Sequence, residues 1–196
     1  MVAGIVLAAG ESSRMGTDKA RLGYKNSTFL ETILKTLAEA GIERVAVVLG
    51  HHAEEISRSV NLRGAEVVIN LDYSRGQTSS LLVGLEALKN PELEAVVVCL
   101  VDHPAVSVQT LRRLVDSFRE SRAPVVIPTY QGRRGHPVVI GLRLFDKLKS
   151  LGPGAGANTV VRQHHETTQF VEVDDPGILL DIDDPDSYQR LIERRL

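Results

Sequence analysis

Seven apolar residues in a row, Ala95–Val101, constrain this chain more than any other feature. A continuous run of that kind suits a strand covered on both faces, the setting of a central parallel strand. Such a strand needs helices above and below it, and the flanking sequence supplies them. Ile5–Ala8, Val45–Leu49, Glu66–Ile69, Val125–Ile127, Val138–Ile140 and Gln169–Val173 read as further strands. Between them, Phe29, Leu30, Ile33, Leu34, Leu37 and Ala38 fall at helical spacing, and Gly41 ends that helix. Helical patterns also cover Ala53–Val60, Ser79–Leu88, Val108–Glu120, Phe145–Ser150 and Ala157–His165, with a last helix from about Pro185. Strand-helix alternation at this pitch predicts a three-layer α/β fold, a mostly parallel twisted sheet with helices on both faces. With 196 residues and 43% hydrophobic content, the chain is expected to form one domain over 1–196. Gly152–Gly156 reads as a loop, followed by too little sequence for an independent core.

Composition removes several classes of function. A formal net charge of −2 gives no basic excess to attract nucleic acid or a membrane surface. An aromatic fraction of 4%, with no tryptophan, supplies no stacking platform for single strands. The one cysteine, Cys99, lies inside an apolar strand and reads as a core residue. The apolar start, Val2–Ala9, has no basic region before it, and Glu11 and Arg14 interrupt it early, so a cytoplasmic protein is expected. His51-His52, with Glu54 and Glu55, lacks H-E-x-x-H spacing and reads as a helix entry, and His164-His165 sits at a helix end, where positive charge is favourable.

In open α/β sheets ligands bind beyond the carboxyl ends of the strands, so motifs there carry the functional weight. The first strand opens directly into Leu7-Ala8-Ala9-Gly10-Glu11-Ser12-Ser13-Arg14-Met15-Gly16, continuing to Lys19. Small residues let backbone N–H groups approach phosphate oxygens, and Arg14 and Lys19 can offset phosphate charge. The glycine spacing fits neither a P-loop nor the dinucleotide fingerprint. On these residues alone the segment is either a phosphate loop or a Gly/Ser turn with solvated charges.

Four further segments stand at element ends. Gly76-Gln77-Thr78-Ser79-Ser80 enters a helix, where a serine most simply caps. Asp102-His103-Pro104 ends the most apolar strand, so Asp102 either faces the crevice or caps the next turn. Asp181-Ile182-Asp183-Asp184-Pro185-Asp186 could be a solvated acidic helix start. Gly135-His136-Pro137 leads into a strand, where a turn histidine is the plain reading.

Taken together, these segments resemble the nucleotidyltransferases typified by the molybdenum cofactor cytidylyl- and guanylyltransferases and by methylerythritol cytidylyltransferase. Their signature L-A-[AG]-G-x-S-x-R-M-G, followed shortly by Lys, is matched at every position from Leu7 to Lys19. The resemblance implies a Rossmann-like fold of the nucleotide-diphospho-sugar transferase type. It implies transfer of a nucleoside monophosphate from an NTP to a phosphate-bearing acceptor, with release of pyrophosphate. Leu7, Ala8, Ala9 and Gly10 would then face base and ribose, with Arg14 and Lys19 on the phosphates and Gly76 and Ser80 beside the nucleotide. Asp102 and Asp183 would hold Mg2+, with Asp181 next in order, while Asp184 and Asp186 serve the helix. Arg14, Lys19 and Asp102 are the expected catalytic residues. His136 would lie near the acceptor.

The Ala8-Ala9-Gly10 form and Gly135-His136-Pro137 resemble the cytidylyltransferase branch, which implies CTP as donor and a molybdopterin as acceptor. A transient contact with a molybdoenzyme or its chaperone is implied by the same resemblance. GTP as donor, a sugar-1-phosphate acceptor, or a nucleotide-binding module without catalysis are the alternatives. One departure stands out. The branch often has G-D-x-G-A-R where this chain has Pro153-Gly154-Ala155-Gly156-Ala157-Asn158, so the acid and the arginine become Gly154 and Asn158.

Overall fold

The computed structural model describes residues 1–151 and 155–193; Gly154 lies outside the described residues. In chain order the elements are β1 (Val2–Ala8), β2 (Gly23–Tyr24), β3 (Ser27–Thr28), α1 (Phe29–Glu39), β4 (Val45–Leu49), α2 (Ala53–Ser59) and β5 (Glu66–Ile69). They continue with α3 (Gln77–Ala87), β6 (Ala95–Leu100), α4 (Val108–Ser121), β7 (Val125–Tyr130), β8 (Arg133–Arg134) and β9 (Val138–Gly141). The last are α5 (Phe145–Lys149), α6 (Ala157–Gln163), β10 (Gln169–Glu172) and α7 (Pro185–Glu193).

The main sheet runs β10-β7-β9-β6-β1-β4-β5, with β8 paired to the end of β7. All neighbours along that path are parallel except at β9, which runs antiparallel between β6 and β7. The apolar run singled out in the sequence is β6, and all its residues but Leu100 are buried. Period-two alternation sorts the strand side chains into two cores. On one face, Val6, Val47 and Val97 meet Leu34 and Leu37 of α1, Ile56 of α2, and Leu114 and Phe118 of α4. On the other, Ile5, Val48 and Val96 meet Leu81 and Leu85 of α3, Leu148 of α5 and Val160 of α6. Each fully buried Leu or Ile contributes about 1.5–3 kcal/mol of transfer free energy, so these faces supply most of the cohesion. Among the described residues no helix is long and apolar enough to cross a membrane.

The β2-β3 hairpin and β8 are absent from the sequence reading, because two-residue strands carry no periodicity. The hairpin nevertheless helps to position the site. Its Tyr24 joins Leu22, Phe29, Ile182 and Leu191 in a third cluster, which ties the acidic segment before α7 against the body of the protein.

Candidate functional site

The strand order reverses direction around β1. The chain passes from β1 to β4 on one side, then crosses back to β6 on the other, leaving a crevice beyond the carboxyl ends of β1 and β6. Leu7 of β1 pairs in register with Leu100 of β6, so the loop after Ala8 and the turn at Asp102 emerge side by side. The cavity between them encloses about 340 Å3. Its walls include Leu7, Ala8, Ala9 and Gly10, with Arg14 and Lys19 further along the loop. Gly76, Ser80, Asp102 and Asp183 complete it, so four segments distant in sequence converge on one pocket.

The loop folds back on itself. Met15 N–H donates to the Ser12 carbonyl, and the Ser12 hydroxyl accepts from the Lys19 N–H at 3.1 Å. Ser12 adopts φ of 50° and Gly16 φ of 66°, left-handed turns that bring the far end of the loop back to the pocket. The segment after β4 braces both ends of it. His51 N–H donates to the Ala9 carbonyl at 3.2 Å, and the His52 imidazole contacts the buried Asp18 carboxylate at 3.2 Å. A Cβ on Gly50 would stand 2.7 Å from the Ala9 carbonyl oxygen, so only glycine allows this approach. The histidine pair thus opens α2, as its sequence position implies, and also supports the loop.

Lys19 is the centre of the charged network. Its ammonium donates to Asp183 Oδ1 at 2.5 Å and to Asp102 Oδ2 at 3.2 Å, and its side chain is only 11% exposed. An exposed loop lysine is what a loop position suggests; the structure buries it instead, because two carboxylates compensate its charge. Burial alone would lower the Lys19 pKa, but the Asp183 hydrogen bond and the charge of Asp102 outweigh it and leave it raised. Arg14 reaches Asp183 Oδ2 at 3.3 Å from a largely solvated position.

Asp102 sits at the mouth of β6. Burial pushes its carboxyl up, but the His103 hydrogen bond and the Lys19 charge hold it below the usual carboxylate range. Ile182 N–H donates to the Asp102 carbonyl at 3.1 Å, and the Ile182 side chain is buried. That anchor fixes its neighbours Asp181 and Asp183 beside Asp102. Asp181 is raised by burial and by the charges of Asp102 and Asp183. Ligand atoms of Asp102, His103 and Asp181 all lie within 4.8 Å of one another, a donor set that fits a divalent cation through its carboxylate oxygens. Asp183, the residue paired with Asp102 in the sequence reading, is occupied by Lys19 and Arg14. Asp184 serves the helix, accepting from Ser187 N–H at 2.7 Å at the start of α7.

Ser80 is not a helix cap. The cap of α3 is Gly76 at φ of 96°, and Ser80 lies buried one turn inside, accepting from the Asn70 side chain at 3.0 Å. His136 lines an adjoining cleft of about 320 Å3, which shares Leu7, Gln77 and Leu100 with the first pocket. Burial, followed by the charge of His103, pushes its imidazole down to about 4. Its ring meets that of His103 edge-on at 5.3 Å. Tyr73 lines the first pocket without any motif to mark it, and Asp18 and Gln77 line it from within two of the motifs, at positions given no role there. Cys99 is buried, its thiol pushed up to about 12, in keeping with a core role.

Known proteins resemble this chain over nearly its whole length. The model of the MobA-like NTP transferase domain matches residues 4–168. A nicotine blue oxidoreductase of Paenarthrobacter nicotinovorans is 34% identical, over 97% of this chain and 96% of the relative. The molybdenum cofactor cytidylyltransferase of Escherichia coli K12 is 27% identical, over 97% and 95%. The crystal structure of Rv0371c from Mycobacterium tuberculosis superposes with a TM-score of 0.86 at 31% identity, covering 98% of this chain and 97% of that one. The same protein has been crystallised in complex with manganese, at a TM-score of 0.82, 30% identity and 98% coverage of both chains.

Proposed function

The chain belongs to the MobA-like NTP transferase domain family, and from that premise we propose that it transfers CMP from CTP to the phosphate of a molybdopterin. The observation that carries this reading is Lys19, held between Asp102 and Asp183 at the mouth of a pocket walled by Leu7–Gly10 and Ser80. An oxygen of the acceptor phosphate attacks the α-phosphorus of the nucleotide in line, and pyrophosphate leaves. No covalent intermediate on the protein is required, since an acceptor phosphate is already ionised at neutral pH.

The protein contributes alignment and charge. Lys19 commits two of its three N–H donors to the acids and keeps one for a phosphate oxygen. Arg14, on its solvated side chain, closes on the leaving pyrophosphate. Backbone groups of Ala8, Ala9 and Gly10 would contact base and ribose. A Mg2+ ion held by Asp102 with Asp181 or Asp183 would offset the negative charge of the triphosphate. CTP is preferred over GTP on the strength of Ala9 and the Gly135-His136-Pro137 segment.

The identity shared with a nicotine blue oxidoreductase supports a second reading, oxidoreduction, in which the first pocket holds an electron donor and the adjoining cleft holds the compound reduced. One set of assays separates the two. Pyrophosphate release is followed with each NTP, with and without reduced molybdopterin, beside the loss of NADH or NADPH absorbance with quinoid dyes. The expected result is acceptor-dependent pyrophosphate release with CTP. Dye-dependent nucleotide oxidation without pyrophosphate would replace it with the second reading. Tight binding of Mg-CTP without turnover on any acceptor would leave a binding module.

A further inference from the structure

Two aspartates are buried among the described residues, and their surroundings differ. Asp175, 8% exposed, is well supplied: its carboxylate accepts from the Ser107 and Gly177 N–H groups and from the Thr110 hydroxyl. Asp18, 6% exposed, has one nitrogen for both its oxygens, His52 Nδ1, at 3.2 Å and 3.3 Å. Its ion-pair partner is that same imidazole, charged only when protonated. A carboxylate taken out of water needs more compensation than one shared donor supplies.

The missing charge has a place to sit. Glu55 lies three residues after His52, in the first turn of α2, and ligand atoms of Asp18, His52 and Glu55 all stand within 4.8 Å of one another. Arg21 touches Glu55 Oε2 from the solvent side, which leaves Oε1 for another partner. The imidazole is held in position: His52 takes φ of 50°, uncommon for a residue with a side chain. The His51 ring lies against it at 3.8 Å between centroids, itself steadied by the Tyr73 hydroxyl at 3.3 Å. The spacing is informative too. Two ligands about 2.0–2.1 Å from a tetrahedral ion stand roughly 3.3–3.4 Å apart, whereas an N–H···O hydrogen bond is usually about 2.9 Å long. The two Nδ1-to-oxygen separations match the shared ion more closely.

We infer that Asp18, His52 and Glu55 form a binding site for a divalent cation of the zinc class, separate from the cluster at Asp102. One imidazole with two carboxylates suits zinc or cobalt, and three protein ligands leave a position for water. The ion takes the Nδ1 lone pair of the neutral imidazole, whose proton then resides on Nε2. Because Asp18 adjoins Lys19, the ion ties the lysine end of the loop to α2 and orders it. The site rests on these side chains alone and not on the nucleotidyl-transfer reading.

Zn2+ is the probe, titrated into the full chain carrying nitrogen-labelled histidine and followed by imidazole NMR. His52→Gln assigns the His52 signals, and those of His103 report separately on the cluster at Asp102. In the wild type, His52 Nδ1 should shift saturably with Zn2+ and stay in place with Mg2+ at the same concentration. Glu55→Gln and Asp18→Asn should each weaken that titration by about tenfold or more. Glu55 is exposed, so its variant decides the matter should Asp18→Asn fold poorly. Zn2+ should also slow hydrogen exchange at the Lys19 amide in the wild type and not in Glu55→Gln. A His52 signal that Zn2+ leaves unmoved, that Mg2+ moves equally, or that titrates alike in wild type and Glu55→Gln would overturn the inference. Unchanged Lys19 exchange at saturation would overturn the ordering of the loop.

Discussion

Lys19 and Asp183 stand 164 residues apart in the chain and meet at 2.5 Å. Their contact joins the loop after β1 to the segment before α7, and Asp102 lies on the other side of the same ammonium. Removing the cation leaves two carboxylates facing each other in a partly enclosed site. Lys19→Met should therefore lower turnover by about two to three orders of magnitude and also cost about 1–3 kcal/mol of stability. Adding Asp102→Asn should restore part of the stability and none of the turnover. Urea unfolding beside initial rates checks both; full turnover of Lys19→Met at saturating CTP would remove Lys19 from the mechanism.

Arg14 makes the contrasting case. Its side chain is 74% exposed and its ion pair with Asp183 is solvated, so the pair adds little to folding. Arg14→Ala should leave the unfolding free energy within about 0.5 kcal/mol of wild type while reducing kcat/KM for CTP by about tenfold or more. A stability loss matching the loss in rate would make Arg14 a structural residue.

The acids divide by partner. Asp102 and Asp181 lie in one cluster with His103, whereas Asp183 answers to Lys19 and Arg14. Asp102→Asn and Asp181→Asn should each raise the Mn2+ concentration for half-maximal rate by about tenfold. Asp183→Asn should shift the CTP KM more than the metal requirement. Manganese titrations of rate, paired with direct Mn2+ binding by electron paramagnetic resonance, separate the three. Equal metal dependence of wild type and Asp181→Asn would return the ligand role to Asp183.

Much of the fold and part of the site are legible in the chain. Ala95–Val101 marks a doubly covered strand, and the helix at Phe29 is signalled by its apolar spacing and Gly41. The loop from Leu7 to Lys19 stands out as a strand end with small residues and cations, which leaves a phosphate loop or a solvated turn, and the family resemblance chooses between them. What stays hidden depends on contacts across the fold. Ser80 looks like a cap in sequence, since nothing local reveals that Asn70 occupies its hydroxyl inside α3. His103 is given no role by its place between Asp102 and Pro104, and only the anchoring of Ile182 brings Asp181 beside it. The burial of Lys19 is equally invisible, because its compensating acids come from two other regions.

Glu31 offers a test of the fold away from the site. It closes a capping box with Thr28 at the start of α1, and it also accepts from the Ser27 hydroxyl and the Asn61 N–H. Those hydrogen bonds, Ser27 first, hold its carboxyl down at about 2. A carboxyl depressed in the folded state stabilises above its unfolded value and loses that contribution as the pH falls toward 2. Glu31→Ala should cost about 1–2 kcal/mol at neutral pH, and the gap to wild type should narrow near about pH 3. Urea unfolding at the two pH values measures it; a gap independent of pH would assign the loss to helix propensity.

Nucleotidyl transfer in the pocket between β1 and β6 is tested most directly with CTP labelled at the α-phosphorus, incubated with the chain, Mg2+ and reduced molybdopterin. The α-label should move into a product that contains the acceptor, in step with unlabelled pyrophosphate. Label that stays in CTP while the acceptor is consumed or reduced would contradict nucleotidyl transfer.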